Sequence, residues 1–322
     1  MNKILFKKSI MVGQIYMTRI IALTAAVLLS VQLAGAQLIS NPNPAVPAAL
    51  GVGGAYSAAA VGAEAPFWNP SGLAYGKGTG GRFAYHRPYG ATFLTHLSAS
   101  GYSSLPGKAG AIALGIQTLG TRSGGETMAS ENELFVSHGF ILQEDIHTSL
   151  AFGYTVKMIG YDLGMSVVGE SGEAINLGDA ITAGLDVGAT AQVWDRFRLA
   201  GSFKNINHPQ LGADRPRDLP RILSAGVSYL PYYGVRTTFD IERELNAQTI
   251  FKGGVEAAVV KPLHLRFGVM TNPNIFTTGF GLYWREIVID YAFIYHPVLS
   301  PSHMIGIGFD VDQPLTEIWH RK

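Results

Sequence analysis

Ile181-Thr182-Ala183-Gly184-Leu185-Asp186-Val187-Gly188-Ala189-Thr190-Ala191-Gln192-Val193 is the stretch on which the fold turns. Taken in steps of two, Ile181, Ala183, Leu185, Val187, Ala189, Ala191 and Val193 form an apolar row. Thr182, Gly184, Asp186, Gly188, Thr190 and Gln192 form a small or polar one. Successive side chains of a strand point to opposite faces, so the stretch is a strand with one apolar side. Its only charge, Asp186, falls on the polar row.

The same division repeats on both sides of this stretch. Leu150, Phe152, Tyr154, Val156 and Met158 alternate with Ser149, Ala151, Gly153, Thr155 and Lys157. Phe197, Leu199, Gly201 and Phe203 oppose Arg198, Ala200, Ser202 and Lys204. Val235, Thr237, Phe239 and Ile241 oppose Arg236, Thr238, Asp240 and Glu242. Phe251, Val255, Ala257 and Val259 oppose Lys252, Gly254, Glu256 and Ala258, and Leu263, Leu265, Phe267 and Val269 oppose His264, Arg266 and Gly268. Ile287, Ile289, Tyr291 and Phe293 oppose Val288, Asp290 and Ala292, and Ile305, Ile307 and Phe309 oppose Gly306, Gly308 and Asp310.

No charge in these segments stands on an apolar row. A charge facing lipid at the bilayer midplane costs roughly 2–4 kcal/mol, whereas one facing a lumen is solvated or paired. Arg198, Lys204, Arg236, Asp240, Glu242, Lys252, Glu256, Arg266 and Asp290 are therefore expected as lumen charges. The expected fold is all-β: a transmembrane antiparallel β-barrel of about 14 strands. Closure leaves no unpaired edge in lipid. A soluble periplasmic β-sandwich also alternates, but its solvent row would carry more Lys, Glu and Asp than the Gly, Ala, Ser and Thr found here.

Strands are expected to start near 80, 92, 109, 132, 147, 180, 196, 221, 234, 249, 263, 275, 286 and 303. The short junctions are Leu230 to Gly234, Lys261-Pro262 and Trp284-Arg285-Glu286. Gly120 to Ser130, Asp162 to Asp179 and Asn205 to Pro220 are longer and are expected as extracellular loops. Phe83, Tyr85, Tyr229, Trp284, Tyr291 and Phe293 recur near strand ends on the apolar side, as interfacial girdles require.

Composition agrees with this class. Of 322 residues, 15% are charged, against about 25% in ordinary soluble domains. The net charge of +1 gives no electrostatic case for a nucleic-acid partner. The absence of cysteine excludes disulfides, thiolate metal sites and cysteine nucleophiles. Arg19, the apolar run Ile20 to Leu33 and Ala34-Gly35-Ala36 make an export signal cut after Ala36. Met17 is an alternative start. The expected organisation is a signal peptide over 1–36, a hatch over 37–78, the barrel over 79–311 and a tail over 312–322.

No constellation asks for a reaction, so the chain is expected not to be an enzyme and to need no cofactor or metal. His96 and Ser98 share a strand face that turns inward, which makes them a hydrogen-bonded lumen pair rather than a lipid-side catalytic one. Asp240, Glu242 and Glu244 neighbour Arg236 and Arg243, a charge balance rather than a glycosidase pair. The nine histidines lack metal-ligand spacing, with His264 and His303 expected in the lumen or at its rim. Gly51 to Gly54 follow no strand, so they do not make a nucleotide loop.

The hatch region carries Leu50-Gly51-Val52-Gly53-Gly54-Ala55-Tyr56 and then Phe67-Trp68-Asn69-Pro70-Ser71-Gly72-Leu73. Asn69 is placed to cap a short helix with Pro70 at its first position. Together with the ending Asp290-Tyr291-Ala292-Phe293, Ser302-His303 and Ile305 to Phe309, these runs resemble the FadL family of outer-membrane transporters for hydrophobic compounds. They are closer still to its shorter PorV/PorQ-type branch, with Ser71 in place of the usual Ala. The resemblance implies a 14-stranded barrel in a Gram-negative outer membrane, with the hatch folded inside and Gly53, Gly54, Phe67, Trp68, Asn69, Pro70, Ser71 and Gly72 as its motif. In transporters of the family, ligand leaves through a lateral opening beside the hatch; in the PorV branch, the barrel serves type IX protein secretion. The implied partners are outer-membrane lipid, the barrel assembly machinery, and either a small hydrophobic ligand or secretion-system proteins.

Overall fold

The apolar rows turn outward and the polar rows inward, and the sheet closes on itself. This arrangement is seen in a computed structural model that describes residues 44–123, 126–166, 175–176, 178–194, 196–212, 217–245 and 247–311. The signal peptide over 1–36, the first residues of the hatch and the tail over 312–322 lie outside the described residues.

The first wall strands are β1 (Thr79–Arg87), β2 (Leu94–Ser104), β3 (Ala111–Ser123), β4 (Glu126–Glu144) and β5 (Thr148–Asp162). A small hairpin, β6 (Met165–Ser166) and β7 (Ile175–Asn176), precedes β8 (Asp179–Val193) and β9 (Phe197–Lys204). A second one, β10 (Gln210–Leu211) and β11 (Arg217–Asp218), precedes β12 (Ile222–Tyr232), β13 (Val235–Glu244) and β14 (Thr249–Val260). β15 (Leu263–Met270), β16 (Ile275–Trp284), β17 (Ile287–Tyr295) and β18 (Ser302–Val311) complete the wall. Leaving out the two small hairpins, the strands form a closed antiparallel barrel of 14 in chain order, and β18 returns to pair with β1 from Thr79↔Val311 to Arg87↔His303.

Burial follows the alternation residue by residue. Val156 is 53% exposed and its neighbour Lys157 6%; Phe267 is 58% exposed and Arg266 1%. An isolated buried charge is forbidding and an exposed apolar wall is not, provided that the wall meets lipid. The inward row is rich in small residues because a polypeptide segment fills the lumen. At Gly188 a Cβ would stand 2.0 Å from Asn69 Oδ1 of that segment.

The chain enters β1 and leaves β18 at the same end of the barrel. That end carries the tight turns Tyr233-Gly234, Lys261-Pro262 and Arg285-Glu286, with Trp194, Tyr232 and Trp284 exposed beside them. The opposite end carries the two long connections, 163–178 and 205–221. The second of these folds back over the mouth: Leu211 and Leu219 pack with lumen-facing Ile159, and Leu211 is buried. At the base of its hairpin, exposed Asp218 accepts from Gln210 and stands 3.2 Å from His208. Those two bonds hold its carboxyl below the ordinary value.

One expected loop is not a loop. β3 and β4 continue through Gly120↔Ser130 and Thr121↔Ala129 before a register shift, and β4 starts at Glu126 instead of near 132. Beyond the apolar belt both faces are polar, so the alternation fades while the hydrogen-bond ladder persists. Four register shifts occur among the wall pairs, all toward strand ends. Pairing through the middle of the wall is continuous among the described residues, and the lateral opening that the resemblance implied is not seen there.

Val156→Lys, at the middle of the lipid face of β5, is expected to destabilise the barrel by roughly 2–4 kcal/mol. Val156→Leu is expected to be nearly neutral. Reversible urea unfolding in phospholipid bilayers checks both.

Candidate functional site

The segment from Pro44 to Gly78 lies inside the barrel. Its parts touch β1 and β2, then β4, β5 and β8, then β15, β16 and β17. A segment that meets a closed wall on all these sides can only occupy the lumen. Pro47 opens the helix Pro47–Gly51, where its missing N–H costs nothing. The helix is stopped by Gly53 and Gly54 at φ +70° and +73°, and Gly54 N donates to Ala49 O at 2.9 Å. A side chain at Gly53 would also collide with Val269 N, at 2.7 Å from its Cβ. The turn thus presses backbone directly onto β15.

Past this turn the backbone is held by one carboxylate. Tyr56 N and Ser57 N donate to Asp240 Oδ2 at 3.0 and 2.8 Å. Further on, Asn69 is fully buried between the short helix Ala65–Trp68 and the 3-10 turn Pro70–Tyr75. Its Oδ1 accepts from Ser71 N at 3.1 Å and Ser71 Oγ at 2.7 Å, which caps the turn that Pro70 begins. Its Nδ2 donates to Ser57 O and to Thr190 Oγ1 on β8, both at 3.1 Å. Trp68 Nε1 donates to Gly54 O at 3.1 Å, Phe67 sets its ring edge-on to Phe135, and Gly72 N donates to Asn69 O. The eight motif residues therefore form one connected unit, in which Asn69 ties two turns together and to the wall.

The wall supplies further partners. Ser98 Oγ donates to Ala45 O, Ser100 Oγ to Ala63 O at 2.6 Å and Thr277 Oγ1 to Gly51 O at 3.1 Å. Lys204 Nζ donates to Phe67 O at 2.7 Å and lies over the Trp68 ring. Arg198 donates to Gln192 Oε1 and stacks on Tyr75, 4.5 Å from its centroid.

The remaining lumen charges pair with one another. Arg236, Glu256, Arg266 and Asp290 form a chain across β13, β14, β15 and β17, with Arg266 Nε on Glu256 Oε1 at 2.9 Å. Tyr283 Oη accepts from Arg266 Nη2 at 2.6 Å, and His264 joins Glu256 at 3.4 Å. Lys252 pairs with Glu242 at 2.7 Å. All nine expected lumen charges face inward. Lys157–Asp186 at 2.9 Å and Arg82–Asp310 at 2.7 Å belong to the same interior. Arg82 also lies 3.7 Å from Glu64, which accepts from Tyr56 Oη at 2.6 Å. Alternation marks Arg82 and Asp310 as inward; Glu64 as their hatch-side partner carries no local signal.

His96 and Ser98 are buried and inward, but they do not bond to each other. Ser98 serves Ala45, while the His96 ring packs against His86 at 5.8 Å. The expected lumen pair is thus corrected: His96 and Ser98 lie two residues apart on one strand face, and the Ser98 hydroxyl goes to the hatch backbone at Ala45 instead. His303 stands on the outer face at the rim, bonded to Tyr291 Oη at 2.7 Å. Among the described residues no group of His, Cys, Asp and Glu could hold a metal ion. A cavity of about 10 Å³, room for one water, lies between the hatch and β1, bordered by Pro47, Glu64, Arg82 and Asp290. The arrangement is a bonded plug in a charged lumen.

No family model and no curated protein matches the chain. Solved structures do. The toluene transporter TbuX of Ralstonia pickettii aligns with a TM-score of 0.60 at 14% identity, over 84% of this chain and 99% of that one. The P. putida toluene transporter TodX aligns at 0.58 and 12% identity, over 84% and 99%. A Pseudomonas aeruginosa FadL homologue aligns at 0.55 and 10% identity, over 86% and 100%. The chain therefore has the fold of FadL-like outer-membrane barrels.

Asp240→Ala leaves Tyr56 N and Ser57 N without their acceptor. It is expected to loosen the hatch by roughly 1–3 kcal/mol, read as faster hydrogen exchange in peptides spanning residues 52–60. Arg266→Ala strands Glu256 and Asp290 in the interior and is expected to cost more, about 3–5 kcal/mol, read as a lower unfolding midpoint of the whole barrel.

Proposed function

We propose that this chain resides in the outer membrane of a Gram-negative bacterium and passes small hydrophobic compounds passively across it, with the hatch controlling the lumen. The observation that carries the reading is the hatch-in-barrel architecture, shared in fold with structures described as toluene transporters. The wall offers lipid an apolar belt on every strand. Movement through the lumen requires the hatch to release part of its bonding to Asp240, Thr190 and Thr277, since the wall around it is continuously paired.

A second reading rests on that continuous pairing and the dense bonding of the hatch. A barrel sealed in this way suits a PorV/PorQ-type component of protein secretion, which binds proteins at its surface and conducts nothing.

Liposomes carrying the intact chain, the Asp240→Ala variant and a chain lacking residues 37–78 separate the two. Transport is expected as saturable toluene uptake by the intact chain with little ion conductance, and higher conductance when the hatch is loosened or removed. No toluene uptake above protein-free liposomes, with conductance appearing only in the altered chains, would overturn transport and leave the sealed barrel.

A further inference from the structure

Arg221 and Arg243 stand side by side on the outer face of β12 and β13, at the end that bears the long connections. Arg243 points outward from the end of β13, in line with Phe239 and Ile241. Arg221 immediately precedes β12, and its carbonyl accepts from Leu245 N. Leu223 is the register partner of Arg243, so Arg221 and Arg243 are diagonal neighbours on one face of an antiparallel pair. Such neighbours stand about 7–8 Å apart at Cα. The Arg221 guanidinium lies over the outward ring of Phe203, 5.4 Å from its centroid, and its Nε is buried with no hydrogen-bond partner.

Among the described residues neither arginine has a salt bridge, and the outward rows of β9, β12, β13 and β14 contain no carboxylate. Asp218, on which Arg221 acts electrostatically, is engaged by Gln210 and His208. Two adjacent like charges are unfavourable unless an anion joins them. Below them the same face runs apolar through Leu223, Leu199, Phe239 and Ile241. A ligand that fits has a phosphate at one end and acyl chains at the other, lying along the wall.

We infer that Arg221 and Arg243 form a binding site for the phosphate of an outer-leaflet glycolipid of the lipid A type, whose acyl chains pack on β12 and β13. The long-connection end is the extracellular one in barrels of this kind, which places the arginines in the outer leaflet rather than the inner. Guanidinium suits the task because it donates two parallel hydrogen bonds to phosphate oxygens and stays charged at the lipid interface. The inference rests on the outer-membrane part of the proposed function and is independent of what the lumen passes.

The test uses the full-length purified protein in detergent and native mass spectrometry with bisphosphorylated lipid A, the same lipid stripped of its phosphates, and phosphatidylglycerol. Retention of bisphosphorylated lipid A is expected, with binding of the stripped lipid and of phosphatidylglycerol weaker by about tenfold or more. The R221Q/R243Q double variant is expected to lose that preference and R221K/R243K to recover part of it, with both keeping the heat-modifiable gel shift of a closed barrel. Equal retention by R221Q/R243Q, or equal binding of the stripped lipid, would overturn the site. Equal binding of phosphatidylglycerol would overturn the glycolipid as its occupant. Toluene uptake is measured in parallel, and uptake unchanged in R221Q/R243Q keeps a failure of this site apart from a failure of transport.

Discussion

A backbone N–H or C=O left unbonded in hydrocarbon costs several kcal/mol, and water is not there to relieve it. Everything else in this molecule follows from that constraint. A sheet that crosses a bilayer must close, and here β18 returns to pair with β1 along its whole length. Once closed, the sheet has two surfaces of opposite demand. The outer one tolerates no midplane charge, so the polarity of the strands is confined to the inner one. That confinement then creates a second problem, because the lumen must be packed and its charges matched.

The hatch answers the packing problem and brings its own backbone groups. Several of these are satisfied by wall side chains: Asp240 for Tyr56 and Ser57, Thr277 for Gly51, Ser98 for Ala45 and Lys204 for Phe67. Small inward residues such as Gly188 give the space, and the polar ones between them give the bonds. The wall charges are matched among themselves in the Arg236–Glu256–Arg266–Asp290 chain. Buried pairs of this kind add little net stability, but removing one member is costly. Their effect is to fix where things sit. Arg82 is the clearest case, since it contacts both Glu64 of the hatch and Asp310 of the last strand and so registers the plug against the closing seam.

The two proposed functions differ in how they use the hatch bonds. The plug makes many separate hydrogen bonds to strands around the circumference, and no single one holds it. A ligand that moves through the lumen has to exchange several of them, whereas a protein that docks on the outside can leave all of them intact. The two readings of function differ in that respect, and the wall itself serves both.

The amino-acid sequence by itself determined the class of fold, the strand order and the direction of nearly every wall side chain. Alternation is local: residues 150 to 158 or 181 to 193 declare their two faces without reference to any partner. It placed Lys252, Glu256, Arg266 and Asp290 inward, and it lost its signal only where both faces turn polar, as at the β3–β4 hairpin. The Asn69-Pro70 cap was legible for the same reason, since a cap joins residues two apart. Partners were not legible. Asp240 meets Tyr56 across 184 positions, and Ser98 serves Ala45 instead of His96. The burial of Leu211 beneath the mouth and the pairing of Arg82 with Glu64 are likewise set only when the sheet has closed. A strand's period fixes which way a side chain points; only closure of the ring decides what it meets there.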